Sequence, residues 1–477
     1  MTRMRERPST RSEERSLSPS VRSLAARVVF SSLFALRSSL FVLGLFFPIT
    51  NLHAENWPTW RGPNSQGVSR EKALPLQWSP TENVRWKVKM PASGNSTPIV
   101  WGERVFVTQS TERTLWPPKV PIDFPKGTSP GGHAIAEKRS VMCFHRADGK
   151  LLWQRDIIYK EKEPTHGTNP FCSASPVTDG EVVVVSHGSA GLVGYDFEGK
   201  QLWHYDVGKL EHVWGNASSP ILHGDLCIHW AGPGPRQYLI AVNKRTGAKV
   251  WETPESGGDS GLHSGKFLGS WSSPIIARVG DQDQLIFGLP FKLKGYDPKT
   301  GKELWSAAIG GSYSYSSPIF VPPSPLAGEG VKGDPVVIYG SNVLKLGATG
   351  DITKHRLKVK VGSMYISTAV VSGDYLYTYN NVGVPACYEW KTGAELWKDQ
   401  IKERPGGTET WGSLVHAAGR IYIADKTGAT HVFAAGPKYQ HLATNRLGNE
   451  GMNASLAVSD GSIYLRTHKH LWCIGEK

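Results

Sequence analysis

One phrase recurs along most of this chain and limits what it can fold into. An apolar stretch opened by Ser-Pro or a close variant leads through two further apolar stretches to an x-Thr-Gly-Lys-type turn and a Leu-Trp. The clearest copy runs from Ser272-Ser273-Pro274-Ile275-Ile276 through Leu285-Ile286-Phe287 to "KLKGYDPKTGKELW", ending at Trp305. Others close at Trp153, Trp203, Trp251 and Trp397. Short apolar runs bounded by Gly and Asp turns read as β-strands. A unit of four such strands cannot bury its faces alone, so neighbouring units must stack. Openings fall at Pro98, Pro176, Pro220, Pro274, Pro318, Ala369, Leu414 and Leu456, which makes eight units. From Asn83 to Lys477 the spacing is about 49 residues per unit, as expected of propeller blades. The expectation is an all-β, eight-bladed β-propeller of four-stranded antiparallel blades over residues 83–477.

Two copies are degenerate: the fifth keeps Ala348-Thr349-Gly350 but has no Trp, and the seventh lacks the turn phrase. The eighth stops after Leu471-Trp472-Cys473-Ile474, its third strand. The segment "NVRWKVKM", with Trp86, supplies a lone strand that completes blade eight and removes its open edge. Turns between first and second strands are short, as are the Thr-Gly turns, and both fall on one face. The joints of the opposite face include the long loops 110–140, 159–172 and 253–270. Long loops on a rigid scaffold are where binding residues are expected.

The Trp-closed Thr-Gly phrase with Ser-Pro openings resembles the pyrroloquinoline-quinone (PQQ)-like propeller repeat, over residues 83–477. That family holds quinoprotein alcohol and sugar dehydrogenases, the non-catalytic propeller subunit of the outer-membrane β-barrel assembly machinery, and many exported propellers. Residues 55–82 form a lead-in. Within it "NWPTWRGPNSQGVS" (Asn56–Ser69) looks like the lead-in of those exported propellers. The resemblance implies the scaffold, while chemistry must come from the site.

Residues 1–54 read as a signal peptide: Arg3, Arg5, Arg7, Arg11, Arg15, Arg22, Arg27 and Arg37 precede an apolar run, Leu40–Ile49, and a cut near Ala54. That run is too short to span a bilayer. No Cys precedes Cys143, which argues against a lipid anchor. The expected protein is exported, periplasmic or secreted, with no membrane span in the mature chain. The chain has 54 Lys and Arg against 41 Asp and Glu; the leader holds 8 and 3 of them, leaving a net charge of +8. These charges are scattered, so nucleic-acid binding is not expected. Of the five cysteines, Cys143, Cys387 and Cys473 align with Gly194, Ala241 and Gly295, a third-strand position that wants a small side chain. The sequence leaves open a disulfide between Cys172 and Cys227.

The position three before each opening holds Asn95, Ser173, Ala217, Trp271, Tyr315, Ile366, Trp411 and Asn453. Adjacent loops carry His166, Asn169, His212, Trp214, Asn216, His263, Tyr313, Tyr365, Asn449 and Glu450. Aromatic planes with amides and imidazoles around a funnel suit a flat polar ligand or a peptide; the plainer reading is that they pack the loops together. The resemblance implies what a quinoprotein dehydrogenase would need: adjacent cysteines, a stacking Trp, calcium ligands and a catalytic Asp. No adjacent Cys pair exists, and Glu450, Glu409 and Asp259 do not assemble into a calcium set. "GDSG" (Gly258–Gly261), "GDQDQ" (Gly280–Gln284) and the sequons at Asn95, Asn216 and Asn453 are set aside as loop or repeat features. The expectation is a non-enzymatic binding or scaffold protein, without catalytic or metal residues or cofactor, that takes a protein, peptide or glycan at its long-loop face. The alternatives are a PQQ- and calcium-dependent alcohol or sugar dehydrogenase with an atypical site, and an outer-membrane protein assembly factor.

Overall fold

A computed structural model describes residues 55–476 apart from 112–113, 117–131, 262–265, 324–332, 363, 400 and 402–408. The leader and its cut at Ala54 lie outside the described residues. Each repeat folds as an antiparallel sheet whose strands follow one another in sequence. Blade three, for instance, is Ile221–His223, Leu226–Ala231, Tyr238–Asn243 and Lys249–Pro254. Blade eight is Ala457–Ser459, Ser462–Arg466 and His470–Ile474, completed by Val84–Lys89 from the other end of the chain. The molecule is an eight-bladed propeller closed by its N-terminal strand.

Blade five departs from the repeat. It carries three strands, Ile319–Val321, Val336–Tyr339 and Asn342–Lys345. Its turn residues Gly350–Asp351 instead pair in parallel with Trp305 and Ser306 of blade four. The fourth place is held irregularly: the Leu357 N–H donates to the Val343 carbonyl at 2.9 Å.

The repeat phrase has a physical reason. In the third strand a small residue sits opposite the fourth-strand Trp: Cys143 faces Trp153, Gly194 faces Trp203, Ala241 faces Trp251, Gly295 faces Trp305 and Cys387 faces Trp397. In blade eight Cys473 faces Trp86. The indole N–H then reaches the next blade. Trp86 donates to the Arg146 carbonyl at 2.7 Å, Trp153 to Phe197 at 2.9 Å, Trp203 to Lys244 at 2.8 Å and Trp251 to Pro298 at 3.0 Å. Those acceptors lie in the Thr-Gly-type turn, so the two halves of the phrase meet across blades. Trp305, beside which the next blade's turn residues Gly350–Asp351 run as a paired strand, bonds Gln284 Oε1 of its own blade instead. All five cysteines are buried and free, Cys172 and Cys227 included.

The residue preceding each opening builds the inner wall. Thr97 donates its N–H to Ser175 Oγ, Ser175 to Ser219, Ser219 to Ser273 and Ser273 to Ser317, each at 2.9 Å. Ser317 continues to Thr368, Thr368 to Ser413, Ser413 to Ser455, and Ser455 back to Thr97, at 2.9–3.2 Å. Eight hydroxyls thus close one ring of hydrogen bonds around the axis, one step per blade.

The lead-in crosses the short-turn face and enters that axis. Trp57 bridges to Val100 of blade one, and Val68 to His416 of blade seven. Between them Arg61 is buried in the channel, donating to the carbonyls of Ala369 at 2.8 Å and Gln66 at 2.6 Å, with longer bonds to Thr368 and Leu414. Burial pulls its pKa down to about 9, which leaves it charged at neutral pH.

Candidate functional site

On the long-loop face the channel widens into a cavity of about 460 Å³. All eight residues three before the openings line it: Asn95, Ser173, Ala217, Trp271, Tyr315, Ile366, Trp411 and Asn453. One repeat position in every blade therefore faces one space. Its floor is Trp60 of the lead-in, whose Nε1 donates to Ser455 Oγ at 3.3 Å, together with Ser219 and Ser273 of the hydroxyl ring. Beneath that floor a void of about 10 Å³ lies between the lead-in and the starts of blades three to five. The funnel is blind.

Its two sides differ in chemistry. Along blades three to six the rings of Trp214, Trp271, Tyr313, Tyr315 and Tyr365 form a continuous wall. Ring centroids are 5.4 Å apart for Trp214 and Tyr313, 5.6 Å for Trp214 and Trp271, 5.0 Å for Trp271 and Tyr315, and 5.4 Å for Tyr315 and Tyr365. The backbone fixes this wall: Gly269–Ser270 runs parallel to Tyr313–Ser314, which carries Trp271 and Tyr315 forward side by side. Behind them Phe267 stacks on Trp214 at 5.0 Å, and the Trp271 indole donates to the Gly215 carbonyl at 2.8 Å.

Across blades eight, one and two runs a polar belt. Asn453 donates to Asn95 Oδ1 at 3.3 Å, and Asn95 to Ser173 Oγ at 3.2 Å. Ser173 donates to Asn169 Oδ1 at 2.5 Å, and Asn169 to the Trp214 carbonyl at 2.6 Å. Above blade one, Thr114–Trp116, Gly132–Ile135 and Glu163–Thr165 form an extra sheet. The loop it anchors brings His166 over the cavity, 6.4 Å from the Trp411 ring and with its plane nearly parallel to it.

Several residues singled out from the sequence stand elsewhere. His212 is buried behind the wall, edge-on to Trp271 at 4.7 Å. Burial pushes its pKa down to about 4, so the imidazole is neutral at pH 7. Asn216 turns to Glu163 Oε1 at 3.2 Å, the carboxylate that pairs with buried Arg139 at 2.6 Å. Asn449 is exposed and does not line the cavity. Glu450 lies 2.8 Å from His470 Nδ1 and accepts from Thr467, away from the funnel. His263 lies outside the described residues. Trp60 escaped the sequence reading altogether, since nothing in "PTWRGP" says that the lead-in doubles back into the axis.

A flat quinone with calcium meets a poor donor set here. PQQ carries three carboxylates and calcium wants several hard oxygens. No Asp, Glu, Lys or Arg is among the described residues lining the cavity. The nearby acids are engaged: Glu409 pairs with Lys426, and Glu450 as above. Among the described residues no group of three or more His, Cys, Asp or Glu is placed to hold a metal ion. The residues present do not fit the quinone and its metal.

Eight blades around one axis, several of them docked by Trp on the Thr-Gly-type turn of the next, define a quinoprotein-type β-propeller. The chain matches the family described as "Outer membrane protein assembly factor BamB" over residues 137–398, more than half its length, and belongs to that family of PQQ-like propellers. No curated protein matches it. Among solved structures, a europium-containing methanol dehydrogenase superposes with a TM-score of 0.60 at 12% identity, covering 88% of this chain and 98% of the other. The quinohemoprotein alcohol dehydrogenase from Comamonas testosteroni gives 0.55 at 13%, covering 89% and 81%. BamB from Moraxella catarrhalis gives 0.49 at 15%, covering 78% and 98%. At such identities the likeness is one of fold.

Proposed function

We propose that this chain is an exported propeller that binds a partner, a protein, peptide or glycan, without catalysing a reaction on it. The observation that supports this is the blind cavity itself: every blade contributes to it at the same repeat position, and its lining offers stacking faces and amides. A dehydrogenase would need a cofactor cradle and a general base. Among the described lining residues the candidate bases are His166 and the phenols of Tyr313, Tyr315 and Tyr365, and burial pushes the Tyr315 and Tyr365 phenols further up. The Arg-rich start and the apolar run Leu40–Ile49 support export, and among the described residues no helix is long and apolar enough to cross a membrane. The family match favours a second reading, in which the partner is an outer-membrane protein under assembly.

Two measurements test the reading. Titration of the purified mature chain with PQQ and calcium, followed by Trp fluorescence and quinone absorbance, should show no saturable response. Saturation at micromolar concentration would revive the dehydrogenase alternative and call for a dye-linked alcohol and sugar screen. Arrays of peptides and glycans should retain the wild-type chain and not Trp411→Ala, which removes a cavity-lining ring without touching a blade junction. A chain that both arrays ignore sinks the binding role.

A further inference from the structure

We propose that the funnel receives the uncharged end of a saccharide chain; this rests on reading the funnel as a binding site and narrows what it binds. The first support is shape. A groove open at both ends accepts the middle of a polymer, whereas a cavity floored by Trp60 accepts only a terminus or a small molecule. A volume of about 460 Å³ suits either.

Charge then separates the candidates. A free peptide end brings an ammonium or a carboxylate, and burying either without a partner is costly. No Asp, Glu, Lys or Arg is among the described lining residues to meet it. Of the nearby imidazoles, His212 behind the wall is kept neutral by burial, and His166 in the lining is engaged at Nδ1 by Thr168. The non-reducing end of a neutral glycan brings no charge.

The two-sided lining completes the match. A pyranose presents a face of C–H groups and a rim of hydroxyls. Indole and phenol faces suit the former, since aromatic planes carry apolar area with a negative π-face. Amides and hydroxyls, which both donate and accept, suit the latter. Trp214, Tyr313, Tyr315 and Tyr365 stand on one side of the cavity, and Asn95, Ser173 and Asn453 on the other. Tyr365 is 42% exposed, so its face is open to a ligand.

The test uses the full mature chain on a glycan array of neutral oligosaccharides with free non-reducing ends, beside the same glycans capped with a terminal sulfate. A peptide array with free and blocked ends runs in parallel. Neutral ends should be retained, and the sulfate cap should weaken retention at least tenfold. Trp411→Ala and Tyr365→Ala should each weaken it about tenfold while leaving the circular dichroism spectrum and melting temperature unchanged. Raising salt tenfold should leave neutral-glycan binding intact, because screening acts on charge. If peptides are retained, glycans are not, and Trp411→Ala abolishes the peptide signal, the saccharide class is wrong and the funnel still binds. If both arrays stay blank, both ideas fall.

Discussion

At the scale of single residues, blade packing turns on the contact between one small third-strand side chain and one indole. A Cβ on Gly295 would lie 2.2 Å from Trp305 Nε1 and Cε2, and one on Gly194 2.3 Å from Trp203 Cε2. Such overlap forces the ring to move. Trp305 has little room to do so, being fully buried and bonded to Gln284 at 2.8 Å. Gly295→Ala should therefore destabilise the fold by about 1–3 kcal/mol, as overpacking does. Cys143→Ala, at the same repeat position, adds no volume and should cost less. Urea unfolding midpoints at constant slope measure both. That the position wants a small side chain is legible in the alignment of Cys143, Gly194, Ala241 and Gly295. The indole that imposes the demand comes from a different strand, and periodicity alone does not reveal that pairing.

At the scale of the element, the strand Val84–Lys89 joins the two ends of the chain. It pairs with His470–Ile474, Trp86 opposite Cys473. Trp86 is buried, and its N–H crosses from blade eight to the Arg146 carbonyl of blade one. Gly149 of that turn, at φ +73°, passes so near the ring that a Cβ there would lie 2.7 Å from it. Trp86→Ala removes the packing and the bond across the closing junction together. It should lower stability by about 3–5 kcal/mol, the range for a buried aromatic truncated to alanine, measured by denaturant unfolding. An unchanged midpoint would mean that strand pairing alone holds the ring. The missing fourth strand of blade eight and the lone "RWKVK" are each visible in sequence, and counting joins them. Blade five is different. Its turn phrase survives as Ala348-Thr349-Gly350, yet Gly350–Asp351 pairs with blade four. The indole that would meet this turn, Trp305 of blade four, bonds Gln284 of its own blade instead.

At the scale of the whole molecule, the lead-in converts an open-ended ring into a blind vessel. It bonds blades one and two through Trp57 and Pro58, blade five through Gln66, blades six and seven through Arg61, and blade eight through Trp60 and Glu71. The cavity wall was legible because it repeats: one offset from eight openings names eight lining residues. The floor and the loops were not, since they are aperiodic; His212, Asn216, Asn449 and Glu450 lie beside the wall in sequence and turn away from it in space. The eight-hydroxyl ring needs nothing from the lead-in, because each bond runs between neighbouring blades. A chain lacking residues 55–69 should therefore keep its strand content in circular dichroism. It should nevertheless melt several degrees lower, at about 2–4 °C per kcal/mol lost. Amides of the first strands around Ser219, Ser273 and Ser317 should exchange faster, because water would then reach the axis from both faces. Whatever ligand the funnel holds should be retained less well by the truncated chain, since Trp60 is gone from beneath it. Equal melting and exchange would show a segment draped on a ring that seals itself. Unequal values would show that the funnel on the long-loop face is sealed from the opposite face.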